Sequence, residues 1–208
     1  AVTTGVKNVV VGSLALDAAD TGKENTAIGH QALTSDTKGQ RNVAVGALAL
    51  GTQNFTSATN SYNIGIGYSA GGALTTGQSN TLIGALAGDA MTTAGSSVAV
   101  GRDALGSVTE GGQNIGIGYG ALRDTTTASN NVAVGYLALE ENITGHSNIA
   151  IGFQALENPD TEDHNLAIGY EALGGAIAGG EFNVAIGNYS LDALTSADHC
   201  TAVGYQAG

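Results

Sequence analysis

The chain has one cysteine, Cys200, so no disulfide can form within it. It lacks tryptophan, has one proline, and contains only 12% charged residues, against about 25% in a typical globular protein. Six Lys and Arg stand against 18 Asp and Glu, which gives a net charge of −12. A surface of that sign repels phosphates, so we expect neither nucleic acid nor an anionic membrane surface as a partner. No run of 18 apolar residues is present, so we expect no membrane insertion.

One short pattern fills most of the sequence. Asn-aliphatic-small-Ile/Val-Gly-x-x-Ala-Leu occurs twelve times, and we number it from its Asn as position 1. Nine of the eleven intervals between copies are 17 residues long, which indicates one small unit stacked on itself and predicts a single repeat domain over residues 1–208. Because the chain starts without methionine and stops just after a repeat, we expect a fragment of a longer fibre. The copies begin at Asn8, Asn25, Asn42, Asn63, Asn80, Ser97, Asn114, Asn131, Asn148, Asn165, Asn183 and Cys200.

Positions 2 to 4 of the pattern predict a short β-strand. Position 4 is Ile or Val in every copy, position 2 is Val, Ile, Thr or Leu, and position 3 is mostly Ala or Gly. Large side chains two residues apart point to the same side of a strand, and we predict that this side is the interior. The predicted fold is all-β: a parallel β-solenoid of about twelve 17-residue coils, about 55 Å long at about 4.8 Å per coil. The predicted structural core is Val11, Ile28, Val45, Ile66, Ile83, Val100, Ile117, Val134, Ile151, Ile168, Ile186 and Val203.

Position 5 is glycine in every copy, which predicts a backbone that needs a positive φ or a close approach where the chain leaves the strand. Stacked coils place like residues on like, so we also predict a ladder of Asn side-chain amides. By the same reasoning, Tyr119, Tyr136, Phe153 and Tyr170 at position 6 should form an aromatic row. The predicted turn glycines are Gly12, Gly29, Gly46, Gly67, Gly84, Gly101, Gly118, Gly135, Gly152, Gly169, Gly187 and Gly204.

A coil of this size buries little apolar surface compared with the conformational entropy that its ordering costs. We therefore expect more apolar surface to be buried between chains, which predicts a homo-oligomer. The small residues at position 3 and the Ala at position 8 are expected to allow the chains to approach closely.

Two sequence motifs match enzyme patterns, and we interpret both as parts of the repeat. Gly67–Gly71 has the Gly-x-Ser-x-Gly form around Ser69, but the equivalent segment Gly135–Leu139 has no serine, and nothing indicates the strand-turn-helix context of a nucleophile elbow. Gly116–Ala121 resembles a dinucleotide-binding glycine loop, but no βαβ unit follows it. We predict a non-enzymatic protein with no catalytic residue and no cofactor.

Metal binding is also not predicted. The four histidines, His30, His146, His164 and His199, are expected to fall at different repeat positions, so stacking would not bring them together as ligands. Asp160, Glu162 and Asp163 form an acidic turn, which favours a charged solvent face over a calcium site, although calcium at this turn stays open.

The period is interrupted twice, by insertions near residues 52–62 and 174–182. Insertions in solenoids emerge as loops on one face, and that face often binds a partner. We name Phe55, Tyr62 and Phe182 as candidate contacts to a neighbouring chain or a receptor, with neutral drift in length as the alternative.

The segments Asn25–Gly29, Asn42–Gly46 and Asn148–Gly152 resemble the Asn-x-Ala-Ile-Gly repeats of trimeric autotransporter adhesin heads. The longer pattern, as in Asn131–Leu139, is similar to repeat arrays of phage and prophage tail-fibre proteins. The resemblance implies a left-handed β-roll, three chains side by side, and an extracellular place on a bacterial surface or a virion tail fibre. It also implies a cell-surface glycan or protein as receptor. The repeat is longer here than in adhesin heads.

Three functions fit the pattern to different degrees. The leading prediction is a structural and adhesive fibre segment that acts as a rigid spacer. An ice-binding solenoid is the alternative, because Thr recurs in the turns, but the column is interrupted by Lys38 and Glu110 and has no paired Thr-x-Thr array. A polysaccharide-degrading tailspike is the third, and it would require a pair of carboxylates that the repeat does not supply. The Thr column is Thr21, Thr76, Thr93, Thr127, Thr144 and Thr161.

Overall fold

The structure is a computed structural model that describes residues 4–175 and 177–208. Within these residues the chain forms fourteen short strands and no helix. The strands are β1 (Val9–Val11), β2 (Thr26–Ile28), β3 (Gly39–Gln40), β4 (Val43–Val45), β5 (Thr59–Asn60), β6 (Ile64–Ile66), β7 (Thr81–Ile83), β8 (Val98–Val100), β9 (Ile115–Ile117), β10 (Val132–Val134), β11 (Ile149–Ile151), β12 (Leu166–Ile168), β13 (Val184–Ile186) and β14 (Thr201–Val203).

Twelve of the described strands form one parallel sheet in the order in which they occur in the chain. Each strand pairs in register with the next, as in the alignment of Val132 with Ile149 and of Val134 with Ile151. Because neighbouring strands run in the same direction, every connection must return along the coil before the next strand begins. The predicted parallel β-solenoid is confirmed, with eleven complete turns between its twelve strands.

The twelve strands of the main sheet are three residues long because glycine at position 5 bends the chain out of the sheet. All twelve of these glycines have φ between 127° and 148°, a region that residues with a side chain rarely adopt. They also lie against the next coil, since a Cβ on Gly118 would be 2.2 Å from the carbonyl oxygen of Gly135. Both parts of the glycine prediction, positive φ and close approach, are confirmed.

The predicted structural core is wrong in orientation. Asn at position 1 and Ala or Gly at position 3 point inward, so the alternating strand turns positions 2 and 4 outward. The side chains of Ile66, Ile83 and Ile117 are 37–39% exposed, and Val11 and Val203 at the two ends are 58% and 68% exposed. The β-branched residues therefore form a continuous seam, as expected, but the seam lies on the outside of the coil.

The interior is narrow, and this is the reason for the inversion. It is filled from the opposite side by the Ala-Leu pair of positions 8 and 9, such as Ala138 and Leu139, which are fully buried. Space at position 3 is so limited that a Cβ on Gly65 would lie 2.8 Å from Cγ of Leu50. Only a small side chain fits between the strand and the leucine column. The small residues at position 3 consequently pack inside one chain and do not serve close approach between chains.

The Asn column joins successive coils through the backbone. The N–H of Asn131 donates to Oδ1 of Asn114 at 3.0 Å, and Nδ2 of Asn131 donates to the carbonyl oxygen of Gly145 at 2.8 Å. The predicted ladder of amide-to-amide bonds is therefore wrong for most of the column, and Asn42 to Asn25, at 3.2 Å, is the amide pair found among the described residues. These side chains replace backbone partners in the corner before each strand.

The first insertion, near residues 52–62, is anchored rather than projecting. Phe55 is 5% exposed, and its carbonyl oxygen accepts a hydrogen bond from Oγ1 of Thr37 at 3.0 Å. Strand β5 then pairs with β3 in a separate two-stranded sheet. Residues 56–58 form an exposed tip. The extra residues enlarge one coil without interrupting the main sheet.

The second insertion, near residues 174–182, also joins the solenoid. Ile177 is buried and forms a parallel bridge with Pro159, and the N–H of Gly179 donates to Oε1 of Glu162 at 2.6 Å. Residue 176 lies outside the described residues, as do residues 1–3 of the predicted domain.

Candidate interaction face

The most distinctive surface of the rod is the outer side of its main sheet. We call it the aliphatic face: the side chains of positions 2 and 4 on all twelve coils. Ile115, Ile117, Ile149 and Ile151 lie in the middle of this face and remain 37–39% exposed although coils stack on both sides of them. Stacking cannot cover these side chains further, because they point away from the sheet. The face is thus a flat apolar strip that runs the length of the rod.

Two rims border the aliphatic face. The position 0 rim consists of Lys7, Glu24, Arg41, Tyr62, Ser79, Ser96, Gln113, Asn130, Ser147, His164, Phe182 and His199, each directly before position 1. The position 6 rim consists of Ser13, His30, Ala47, Tyr68, Ala85, Arg102, Tyr119, Tyr136, Phe153, Tyr170, Asn188 and Tyr205. Only one of the 18 acidic residues, Glu24, lies on the face or its rims. In a chain of net charge −12, the acidic groups are therefore placed on the other sides of the rod.

The acidic residues gather away from the aliphatic face. Asp124, Glu141 and Asp160, together with Ile143 and Asn158, line a shallow groove of about 300 Å³. These residues belong to the turns that connect one coil to the next. The strand columns of the aliphatic face are consequently uncharged, while 17 of the 18 acidic residues lie at other repeat positions than the face and its rims.

The predicted aromatic row, Tyr119, Tyr136, Phe153 and Tyr170, is confirmed on the position 6 rim. Its ring centroids are 5.3, 5.2 and 5.0 Å apart, and successive planes differ by 13° or less. A hydrogen bond to the carboxylate of Glu171 is the main cause that raises the pKa of Tyr170 to about 12, so its phenol stays neutral at physiological pH. The rings add a continuous uncharged strip to one border of the aliphatic face.

Charged residues border the first coils on the position 0 rim. Arg41 donates from Nε to Oε2 of Glu24 at 2.9 Å and from Nη1 to the hydroxyl of Tyr62 at 2.6 Å, while Nζ of Lys7 lies 3.6 Å from Oε1 of Glu24. The hydrogen bond from Arg41 is the main reason that the pKa of Glu24 lies below its usual value. Tyr62, a predicted contact residue, is 49% exposed at the end of this chain of contacts.

Phe182, another predicted contact residue, is 46% exposed on the position 0 rim near the other end. It stacks between His164 and His199, with centroid distances of 4.9 and 5.1 Å. The expectation that the histidines occupy different repeat positions is wrong for this pair, because both precede position 1. The stack has an aromatic residue between the two imidazoles, which keeps them apart.

The third predicted contact residue, Phe55, does not reach the surface. Its side chain is buried within the enlarged coil, so it cannot touch a receptor or a neighbouring chain in this conformation. Its role is to anchor the insertion. Length drift, the alternative reading of this loop, fits the anchored geometry better than a projecting contact does.

The enzyme-like motif around Ser69 lies in an ordinary corner. Ser69 has φ 54° in the turn after β6, and the same sharp corner recurs as Leu86 and Leu137 on other coils. Across residues 4–175 and 177–208 no helix follows this strand, so the strand-turn-helix context of a nucleophile elbow is missing.

In the acidic turn of Asp160, Glu162 and Asp163, the buried carboxylate of Glu162 accepts hydrogen bonds from the backbone. Glu162 is 3% exposed, and Oε2 accepts the N–H groups of Asp160 and Thr161 at 2.8 and 3.0 Å. Among the described residues, no three His, Cys, Asp or Glu side chains are grouped so that they could hold a metal ion.

One buried polar cluster was not predicted. Oδ2 of Asp36 accepts from Nε2 of Gln53 at 2.7 Å, and Oε1 of Gln53 accepts from Nδ2 of Asn63 at 2.8 Å. Asp36 and Gln53 occupy the same place in the repeat as Leu74, Met91 and Val108, which are buried. Alignment of this column, eleven residues after position 1, would have identified it as a core position.

Comparison of the chain with known proteins found no relative. No family model matches the chain, and no curated protein and no solved structure matches it. In the part of the chain that the structure describes, no helix has the length and apolar character needed to cross a membrane.

Proposed function

We propose that this chain is a segment of a non-enzymatic structural and adhesive fibre. Copies of it pack side by side through the aliphatic face as a homo-oligomer, with a trimer favoured. The assembly acts as a rigid spacer in an extracellular fibre, either a bacterial surface adhesin or a virion tail fibre, that reaches a glycan or protein receptor. The resemblance of its Asn-x-Ala-Ile/Val-Gly repeats to those of adhesin heads and tail-fibre proteins supports this proposal.

The observation that carries the proposal is the aliphatic face itself. Soluble monomers rarely expose contiguous apolar patches of more than a few hundred Å², and larger ones mark sites of association. Here two columns of Val, Ile, Thr and Leu extend over twelve coils, and the adjacent rims hold one acidic residue of 18. Depletion of charge beside aromatic residues is the composition expected for the buried centre of an interface.

A charged substitution on the aliphatic face tests the association. Ile117→Lys should dissociate the oligomer, because it places an ammonium group in the apolar seam between copies. The chain should remain folded, since Ile117 is already 39% exposed. The matched control is Thr93→Lys, an exposed turn residue outside the face, which should leave the mass unchanged. Size-exclusion chromatography with light scattering reads the mass, and circular dichroism reads the fold.

The adhesive part of the proposal has a separate test. Receptor binding by an exposed aromatic residue predicts that Tyr62→Ala or Phe182→Ala weakens attachment of the purified rod to host cells, measured on preparations whose oligomer mass equals that of the unsubstituted rod. If both variants attach as well as the unsubstituted rod, these residues are not the receptor contacts. Assays for thermal hysteresis and for depolymerase activity on capsular polysaccharide test the ice-binding and tailspike alternatives.

A further inference from the structure

We propose that neighbouring copies meet through opposite rims: Tyr119, Tyr136 and Phe153 on the position 6 rim of one copy pack against the smaller residues Gln113, Asn130 and Ser147 on the position 0 rim of the next copy, at the same coil levels. This inference rests on the proposed function and specifies which surfaces of the oligomer touch.

The aromatic row offers an edge rather than a ring face. Its four rings stack on one another, so their faces are covered within the chain, yet each ring remains 38–46% exposed. Arg102 lies over the outer face of Tyr119 at 6.0 Å, and Tyr189 meets the ring of Tyr170 edge-on. A ligand that stacks on an open aromatic face would find none between Tyr119 and Tyr170. A surface that packs against a row of ring edges would fit.

The opposite rim has the complementary shape on the same coils. At the levels of Tyr119, Tyr136 and Phe153, the position 0 residues are uncharged and smaller: Gln113, Asn130 and Ser147. On the first coils the sizes are reversed, because the long side chains of Lys7 and Arg41 share their levels with Ser13 and Ala47. When copies lie parallel, a large residue therefore faces a smaller one on these coils, whereas Tyr62 with Tyr68 and His164 with Tyr170 are large on both rims. Close packing between copies requires such matching.

The partner for this face is a second copy because the face repeats. Its rows recur once per coil, at about the 4.8 Å strand spacing. A partner has to repeat at the same spacing if it is to cover every row, and another copy of this chain does so. On the three coils of β9, β10 and β11 the outward residues of both rims and the face are uncharged, which favours an equally uncharged partner.

The symmetry of the assembly decides which rims meet. A rotation axis parallel to the rods brings the position 0 rim of one copy to the position 6 rim of the next and keeps equal levels together. A two-fold axis perpendicular to the rods brings like rims together with the order of the coils reversed. Cyclic assemblies of three or more chains about a parallel axis use two different patches on each copy, whereas a two-fold axis uses one self-complementary patch twice. The proposal commits to the parallel axis.

Paired cysteines test the contact directly. In a Cys200→Ser background, Ser79→Cys and Ala85→Cys place one thiol on each rim at the same level, and the strand Thr81–Ile83 separates them within one chain. Mild oxidation should link most chains of the oligomer, seen as a shift from one 20.5 kDa chain to the mass of the closed ring on a non-reducing denaturing gel. Each single-cysteine variant should stay at one chain. The pair Ser79→Cys with Ala47→Cys, two coils out of level, should link at least ten-fold less.

The outcomes separate the two proposals. Cross-linking of either single variant would show like rims in contact and would overturn the inference, as would an oligomer in which the level pair does not link. A one-chain mass for the unsubstituted protein would overturn the proposed function and this inference with it. As a second measurement, Gln113→Trp should lower the oligomer's association constant at least ten-fold with an unchanged circular dichroism spectrum. Thr127→Trp, at a residue that is also exposed but lies off the rims, should not, and equal effects of the two would count against the rim contact.

Discussion

The side-chain oxygen of Asn114 accepts the backbone N–H of Asn131 across 3.0 Å, exactly one repeat further along the chain. Asn131 repeats this contact with Asn148 at 2.8 Å, and the relation continues through the column. Each coil therefore supplies a hydrogen-bond partner to a buried backbone group of the next coil. The period of the sequence and the stacking of the structure are linked by this one contact.

Removal of the Asn131 side chain should destabilise the rod. Asn131→Ala leaves the N–H of Asn148 without a partner in the interior, at about 1–3 kcal/mol, while the carbonyl oxygen of Gly145 still accepts from Nδ2 of Asn142 at 2.9 Å. Asn131→Ser should cost less, because Ser97 naturally fills this position and its Oγ accepts the N–H of Asn114 at 3.2 Å. Urea unfolding midpoints of the two variants test the order, and equal losses would contradict it.

Two of the glycines at position 5 allow the stability cost of a positive φ to be measured separately from the cost of a close approach to the next coil. Gly118→Ala has both a strained φ and a Cβ that would lie 2.2 Å from the carbonyl oxygen of Gly135. Gly204→Ala has a similar φ of 132°, but its nearest neighbour is Cβ of Ala207 at 3.9 Å. The φ strain costs about 1–3 kcal/mol at both sites, and the clash adds about 1–3 kcal/mol at Gly118 only. Thermal unfolding should show a larger drop for Gly118→Ala, and an equal drop would remove the role assigned to close approach.

In one coil the usual sizes of positions 3 and 9 are reversed: Leu82 is the large residue and Gly88 the small one. Leu82 stands at position 3, where ten of the other eleven coils carry Ala or Gly, and it fits because Gly88 carries no side chain. A Cβ on Gly88 would lie 2.9 Å from Cδ2 of Leu82 and 2.6 Å from Sδ of Met91, which belongs to a flexible side chain that can shift. Leu82→Ala should cost about 2–5 kcal/mol through a cavity, and Gly88→Leu alone should clash. The double variant restores the common Ala and Leu arrangement and should be more stable than the sum of the single changes. Additive losses in a double-mutant cycle would contradict this coupling.

Asp36 should give the stability a dependence on pH. Burial is the main cause that raises the pKa of this carboxyl above its ordinary value of 3.8, although Gln53 and Gly39 donate hydrogen bonds to it. The folded state therefore holds the proton more tightly than the unfolded chain, so the contribution of Asp36 is most favourable below pH about 4 and is lost as the pH rises through the raised pKa. Asp36→Asn removes this term.

Urea unfolding of the unsubstituted protein and of Asp36→Asn between pH 3.5 and 7 measures the pH-dependent contribution of Asp36 to stability. The stability of Asp36→Asn relative to the unsubstituted protein should improve as the pH rises, whatever fixed cost the loss of the carboxylate brings. The exposed Glu110→Gln serves as the control. A difference that is constant with pH, or that runs in the opposite direction, would show that the Asp36 carboxyl is not desolvated as the structure indicates.

The sequence was sufficient for the fold but not for the direction of its side chains. The 17-residue period fixed the coil, and glycine at position 5 fixed the end of each strand. The β-branched residues at positions 2 and 4 were assigned to the interior because apolar residues are usually buried in a single chain. The side chains of Asn131 and Ala133 point to the same side of the strand. Because Asn131 makes buried hydrogen bonds, that side faces the interior.

The remaining features depend on columns outside the Asn-to-Leu pattern and on the size of the enlarged coil. The Phe182 stack required two histidines and a phenylalanine to share a column despite an 18-residue interval between Asn165 and Asn183. Phe55 looked like the tip of a loop because its segment is an insertion, but the enlarged coil has room to bury it. Asp36 is buried because Gln53 on the next coil provides a partner.

The central claim is that the aliphatic face is covered by other copies of the chain in solution. Sedimentation equilibrium of the unsubstituted protein in native buffer tests it most directly. The account predicts a mass that is a whole multiple of 20.5 kDa, with three chains favoured, at concentrations down to the micromolar range. A mass of one 20.5 kDa chain, with the rod folded, would contradict it.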